Sequence, residues 1–258
     1  MFKINLKPDG AKVLISVILL MAGLGAALTA RHLPQLKIAG QMNNLNKYEG
    51  YYGTIYYEGS NNAHAETIMR IVDGVYPYLK NDFGIEESLR PSIIIHNDKE
   101  SLYKALGKDY GDNPPMGAYY AGVINILSPE EWVNDENAGL TDKFIKYGPV
   151  IHELTHFMLD AKAKGNYELW FCEGVALYSE YKYTGVLWEA ENPVSADEID
   201  FCQMQAFFSS AEEDAAYRAA FDKVRAIVNI YGEAGLKEIM ESLANKENFL
   251  QVMEEYAY

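Results

Sequence analysis

The sequence predicts an α+β fold, and three observations predict it. Short runs of β-branched and aromatic residues, Ile55-Tyr56-Tyr57, Ile93-Ile94-Ile95 and Val123 to Leu127, fall early in the chain and are bounded by Gly, Pro or polar residues. From Ala196 onward the apolar residues recur three and four apart, as on helices. Between these halves lies Pro149 to Gly174, PVIHELTHFMLDAKAKGNYELWFCEG, which reads as two antiparallel helices joined at Gly165. Strands gathered ahead of helices describe a mixed sheet with a helical second half.

The chain has 258 residues, 49% apolar and 23% charged, the balance of a globular protein. A formal charge of -15 argues against nucleic acid as a partner, because phosphate binding needs the opposite sign. Cys172 and Cys202 are too few for a disulfide-stapled scaffold, and both are expected as buried free thiols. Cys172 draws notice because Glu173 follows it.

Val13 to Ala30 is 18 residues without a charge, preceded by Lys3, Lys7 and Lys12 and followed by Arg31. That length is at the short end of a membrane-spanning helix, and the basic flank keeps the N-terminus cytoplasmic. The expectation is an uncleaved signal anchor: residues 1–31 as cytoplasmic tip and transmembrane helix, 32–48 as tether, and 49–258 as an exported body. Ala27, Thr29 and Ala30 offer small residues for a cut after Ala30, which would make the protein secreted, but Leu28 occupies the -3 position.

Along the body, Tyr51-Tyr52 and Ile55-Tyr56-Tyr57 favour strand. Ile68, Ile71, Val72, Val75 and Tyr76 give helical spacing over Ala63 to Asp82, with Gly84 as the stop. Ile93 to Ile95 follows Pro91 as a buried strand, and Ser101 to Leu106 is a short helix ended by Gly107. Gly117 to Ser128 reads as a hairpin or bulged strand around Gly122. Within it, Val123 to Leu127 is either an edge strand that accepts an extended peptide or a core strand. Ala196 to Ser209, Glu212 to Tyr231 and Ala234 to Leu243 are expected helices, the second stopped by Gly232.

The chemistry concentrates in the central stretch. On a helix, His152 and His156 stand one turn apart on one face, so two ring nitrogens can reach one ion at about 2.1 Å each. Glu153 lies about 100° round, badly placed as an equal ligand but close enough to take a proton from a water on that ion. Val150, Ile151, Leu154, Phe157, Met158 and Ala161 bury the other faces, and buried imidazoles need partners. An antiparallel return from near Glu168 brings Glu173 back to the level of His156. A core helix with two hydrogen-bonded histidines is the competing reading.

HELTH followed by WFCEG resembles the gluzincin zinc metallopeptidases, and more nearly their peptidase MA-like domains. The resemblance runs from about Tyr51 onward and implies a thermolysin-like catalytic body. It also implies one Zn²⁺ on His152, His156 and Glu173, with Glu153 as general base. Leu159 and Lys162 stand where the metzincin variant needs Gly and a third His. Where thermolysin-like enzymes support the first ligand with an acid, this chain has Leu177, leaving Glu180, Asp160 or a carbonyl to serve. No His follows His156, so a Tyr must stabilise the oxyanion. Among Tyr178, Tyr181, Tyr183, Tyr217 and Tyr231, Tyr217 is favoured because it opens a helix after the ligand helix.

The functional expectation is a membrane-anchored, extracytoplasmic zinc metallopeptidase acting on peptide or protein substrates. The rival is a non-catalytic exported binding or scaffold protein that keeps the fold. Glu153 discriminates, since a purely structural zinc site needs no carboxylate there. Oligomeric state, and the choice between endo- and exopeptidase, are not legible.

Overall fold

A computed structural model describes residues 35, 38, 40–59, 62–109, 115–131, 140–187 and 194–256. The expected anchor, Val13 to Ala30, lies outside the described residues, and no helix among the described residues is long and apolar enough to cross a membrane. The chain divides into two compact units, residues 1–44 and 45–258. In the first, residues 40–42 are helical. The second begins with a strand at Asn46, slightly ahead of the boundary at residue 49.

That second unit is a mixed sheet overlaid by helices. Its five strands are β1 (Asn46–Glu49), β2 (Thr54–Tyr57), β3 (Ser92–His96), β4 (Gly117–Tyr120) and β5 (Val123–Leu127), in the order β1-β2-β3-β5-β4. The central pairs β2·β3 and β3·β5 are parallel, and both outer pairs are antiparallel. Parallel neighbours need crossovers. Helix α1 (Asn62–Asp82) supplies the first, and α2 (Lys99–Leu106) lies in the second. Asp98 caps α2 by accepting from the Ser101 N–H at 2.7 Å, and Gly107 ends it in the left-handed region.

Two expectations are corrected here. Tyr51-Tyr52 is not strand but the turn between β1 and β2. Gly50 donates its N–H to the Gly53 carbonyl at 3.0 Å, and the Arg90 guanidinium binds the carbonyls of Gly50, Tyr51 and Gly53. A closed turn held from outside overrides the β-propensity of the two rings, and Tyr52 stacks on Tyr76 with centroids 4.4 Å apart. The edge-strand reading of Val123 to Leu127 also fails, because β5 is inserted between β3 and β4. All five of its residues are buried. The edge on that side is β4, joined to β5 by a tight turn at Ala121-Gly122 with both residues at positive φ.

The sheet's two faces are sorted by the period-2 alternation. Ile55, Ile93, Ile95, Ile124 and Ile126 belong to the main core, shared with α1 and with α4 (Val150–Ala163). On the other face Leu127 packs with Leu102 and Leu106 of α2. His96 and Asn125 are buried there, with Nε2 2.9 Å from the amide oxygen. Burial pushes the His96 imidazole below its ordinary range, against the opposing pull of the Asn125 bond. The unfolded chain therefore takes up this proton first as pH falls below about 6.5, and the stability His96 contributes above that pH is lost on the way down to its folded-state value. Tm measured against pH is expected to fall more steeply for the wild type than for His96→Gln in the acid limb and to run parallel above about pH 7. The glutamine retains an N–H for Asn125.

Helices α3 (Leu140–Tyr147), α4, α5 (Leu169–Thr184), α6 (Phe201–Ser210), α7 (Glu213–Ala244) and α8 (Phe249–Glu255) make the rest. The helix expected over Ala196 to Ser209 is instead a 3-10 turn, Ala196–Glu198, followed by α6. The expected stop at Gly232 appears as a kink, φ 71 and ψ 179, inside the helical run of α7. Helix α4 leaves the α-helical region one residue early, at Lys164 (φ 53), followed by Gly165 (φ 77). Cys172 is buried and Cys202 is exposed; both are free thiols, so the expectation of a buried Cys202 is corrected. Where α5 meets α7, a Cβ on Gly174 would stand 2.5 Å from the Ala220 carbonyl oxygen and 2.8 Å from Val224 Cγ2. Only glycine allows that approach, and it fixes the height of the neighbouring Glu173.

Candidate metal centre

Helix α4 starts just after Pro149 and is apolar on most of its circumference, so Val150, Ile151, Leu154, Met158 and Leu159 are buried in the main core. Its remaining stripe carries His152 and His156, whose rings meet edge to face with centroids 4.6 Å apart. Helix α5 returns antiparallel through the turn at Lys164-Gly165 and brings Glu173 against both. Glu173 Oε2 lies 3.1 Å from His152 Nε2 and 3.6 Å from His156 Nε2. Donors about 2.1 Å from a tetrahedral cation stand about 3.4 Å from each other. The two separations bracket that value, and all three donors lie within 4.8 Å of one another. Two imidazoles and one carboxylate facing a common point fit a divalent ion such as Zn²⁺, and the expected ligand set is the one that comes together.

Each of the two imidazoles has a group behind it. His152 Nδ1 lies 3.4 Å from Glu180 Oε2, and His156 Nδ1 lies 3.0 Å from Cys172 Sγ. A group on Nδ1 fixes the ring and leaves Nε2 for the ion. Of the two acids considered as support, Glu180 serves, seven residues after Glu173 on the same face of α5. Asp160 turns instead to the Tyr119 hydroxyl, which donates to it at 2.8 Å. Cys172 thus stands behind His156 and is not one of the three donors that meet. Burial pushes its thiol well up, and the charges of Glu173 and Glu153 push it further. Burial also disfavours ionised Glu173, but hydrogen bonds to His152 and His156 outweigh it and hold the carboxyl far below the usual carboxylate range.

Glu153 is buried and points at the edge strand, where its Oε2 accepts the Tyr119 N–H at 2.6 Å. Burial raises its pKa, opposed by the two imidazoles and by that N–H, so its carboxyl is a stronger base than an exposed one. A Cβ on Gly117 would stand 2.9 Å from Pro149 Cβ and 3.0 Å from Glu153 Cγ, so the glycine lets β4 lie against the start of α4. Sequence reasoning missed this role of β4. The pairing of Gly117 with the bulky Pro149-Glu153 turn was its signal, and it emerges only when the two are adjacent in space.

The group opens into a cleft of about 600 Å³, lined among others by Met116, Gly117, Tyr119, Tyr167, Leu177 and Tyr217. Tyr217, in the second turn of α7, is brought to this cleft, with its ring 5.4 Å from that of Phe208. Burial, and then the charge of Glu173, keep its phenol protonated well above the usual range, so at neutral pH it is a donor. The other tyrosines considered are engaged elsewhere. Tyr178 donates to Glu233, Tyr183 to Asp82, and the rings of Tyr181 and Tyr231 rest on Phe221 and Tyr256.

No family model matches the chain. Over 81 residues it is 33% identical to an oligo-1,6-glucosidase of Parageobacillus thermoglucosidasius, a stretch that is 29% of this chain and 14% of that protein. Among solved structures it is similar to native leukotriene A4 hydrolase from Saccharomyces cerevisiae. There the TM-score is 0.49 and the identity 12%, over 83% of this chain and 36% of that chain. The chain therefore spans well under half the length of either protein.

Proposed function

We infer that the chain is a zinc metallopeptidase that hydrolyses peptide bonds, anchored by its N-terminal segment with the body outside the cytoplasm. The observation that carries this reading is the meeting of His152, His156 and Glu173 in an open cleft, with the Glu153 carboxylate beside them and outside the donor set. A site built only for structure closes its fourth position with protein. Here that side faces the cleft.

His152, His156 and Glu173 would hold the ion. Bound there, zinc supplies a Lewis acid that polarises the scissile carbonyl and lowers the pKa of water. Glu153 takes the proton of the attacking water and passes it to the leaving amine, so one carboxyl serves as base and then as acid. The Tyr119 N–H fixes that carboxyl on the β4 side of the cleft. Strand β4, and not β5, is the edge an extended substrate would lie along. Tyr217 donates to the oxyanion. Tyr217→Phe is expected to lower kcat by about 10²-fold, with KM nearly unchanged, because the bond is made in the transition state.

Cleavage of a proteome-derived peptide library by the zinc-loaded chain tests the activity itself. Defined cleavage sites that vanish with Glu153→Gln support the reading. A chain that binds zinc yet gives the same profile as that variant is a binding protein that keeps the fold.

A further inference from the structure

A second cavity, of about 690 Å³, lies between α1, α3, α4 and the end of α5, and shares no lining residue with the metal cleft. Its volume is in the range of small-molecule sites. Ile71 and Val75 of α1, Ile145 of α3 and Ile151 of α4 give it an apolar wall. The described residues leave that wall open to solvent, since Ile145 is 40% and Tyr78 63% exposed.

Two further features give the cavity a chemistry. Arg70 and Lys146 both line it, and no described lining residue is a carboxylate. In a chain of net charge -15, neither cation makes an ion pair with a described residue; Lys146 rests 5.1 Å from the Tyr147 ring centroid. The second feature is Gly74, in the middle of α1. Glycine there costs about 1 kcal/mol of helix stability relative to alanine. No turn needs it and no neighbour crowds it, because nothing lies within 4 Å of where its Cβ would be. What it does is leave the cavity wall without a side chain.

An apolar wall edged by two exposed cations, neither ion-paired with a described residue, suits a molecule with a hydrocarbon body and one anionic head. We propose that this cavity binds a free amphiphilic anion, an aliphatic chain ending in a carboxylate or phosphate. The site stands apart from the metal centre and does not depend on its chemistry. Ile151 precedes His152 and Thr184 accompanies Glu180, whose carbonyl accepts the Thr184 hydroxyl at 2.7 Å, so the ligand lies against the backs of both supporting turns.

Photolabelling of the full chain by a dodecanoic acid carrying a mid-chain diazirine tests the site. The expected label falls on peptides containing Arg70 to Tyr78 or Ile145 to Ile151. Dodecanoate should compete for it at least tenfold better than dodecanol. Gly74→Leu, which fills the chamber and favours the helix, should reduce this label at least tenfold, as should Arg70→Ala with Lys146→Ala. His156→Ala should leave it unchanged, which separates this cavity from a carboxylate on the metal centre. Circular dichroism of each variant confirms that it is folded. Label confined to Val13 to Ala30, label indifferent to these substitutions, or equal competition by dodecanol would overturn the proposal. So would competition by phosphatidylglycerol vesicles without competition by monomeric dodecanoate, which would make the site a membrane contact.

Discussion

Glu153→Gln is expected to lower peptide hydrolysis by at least about 10²- to 10⁴-fold, the usual contribution of a positioned general base. The same variant should bind zinc as the wild type does. The amide is almost isosteric, so its oxygen can still accept the Tyr119 N–H that the carboxylate accepts at 2.6 Å. It cannot take a proton. Because Glu153 stands outside the donor set, catalysis and metal content should separate, and steady-state kinetics beside metal analysis on one preparation reads both. Turnover within threefold of the wild type would place the base elsewhere.

His156→Ala should behave differently, losing metal and activity together. The substitution removes one of three protein donors and leaves Cys172 Sγ without the ring that it approaches at 3.0 Å. Metal affinity should fall by more than the 10- to 100-fold typical of removing a supporting group, since a ligand itself is gone. Metal binding to the folded state alone raises stability by mass action. Chelation should therefore lower the wild-type Tm and leave that of His156→Ala where it was. A scanning fluorimetry titration with a chelator gives both curves. Equal shifts in the two proteins would remove His156 from the centre.

The parts of the fold that could be read from sequence are those that local chemistry determines. Gly84, Gly107 and Gly122 mark the ends of α1, α2 and β4 because each takes a positive φ that other residues resist. The imidazole pair follows from the helical period alone, and Glu173 from the length of the return. What escaped was decided at long range. Whether β5 is central or at the edge depends on its pairing with β3, which closes a loop across α2, and no local pattern encodes that choice. Tyr51-Tyr52 carries strand propensity, but Arg90, some forty residues on, closes the turn around it. Choosing between Glu180 and Asp160 behind His152 required knowing that Asp160 is taken by Tyr119, a residue of a different element. Exposure of Cys202 likewise depends on how α6 lies on its neighbours. Tyr217 was reachable only as one of several tyrosines, and the crossing of α7 over α5 at Gly174 is what carries it to the cleft.

All of these proposed roles require that His152, His156 and Glu173, which meet within 4.8 Å of one another, hold one cation. Metal analysis of the purified full chain, after dialysis against metal-free buffer at neutral pH, measures that directly. One zinc per chain in the wild type, lost in Glu173→Ala, is the predicted result. Wild-type protein that is folded and offered zinc in excess, yet retains no stoichiometric metal, would contradict it and leave the two histidines as hydrogen-bonded residues of the core.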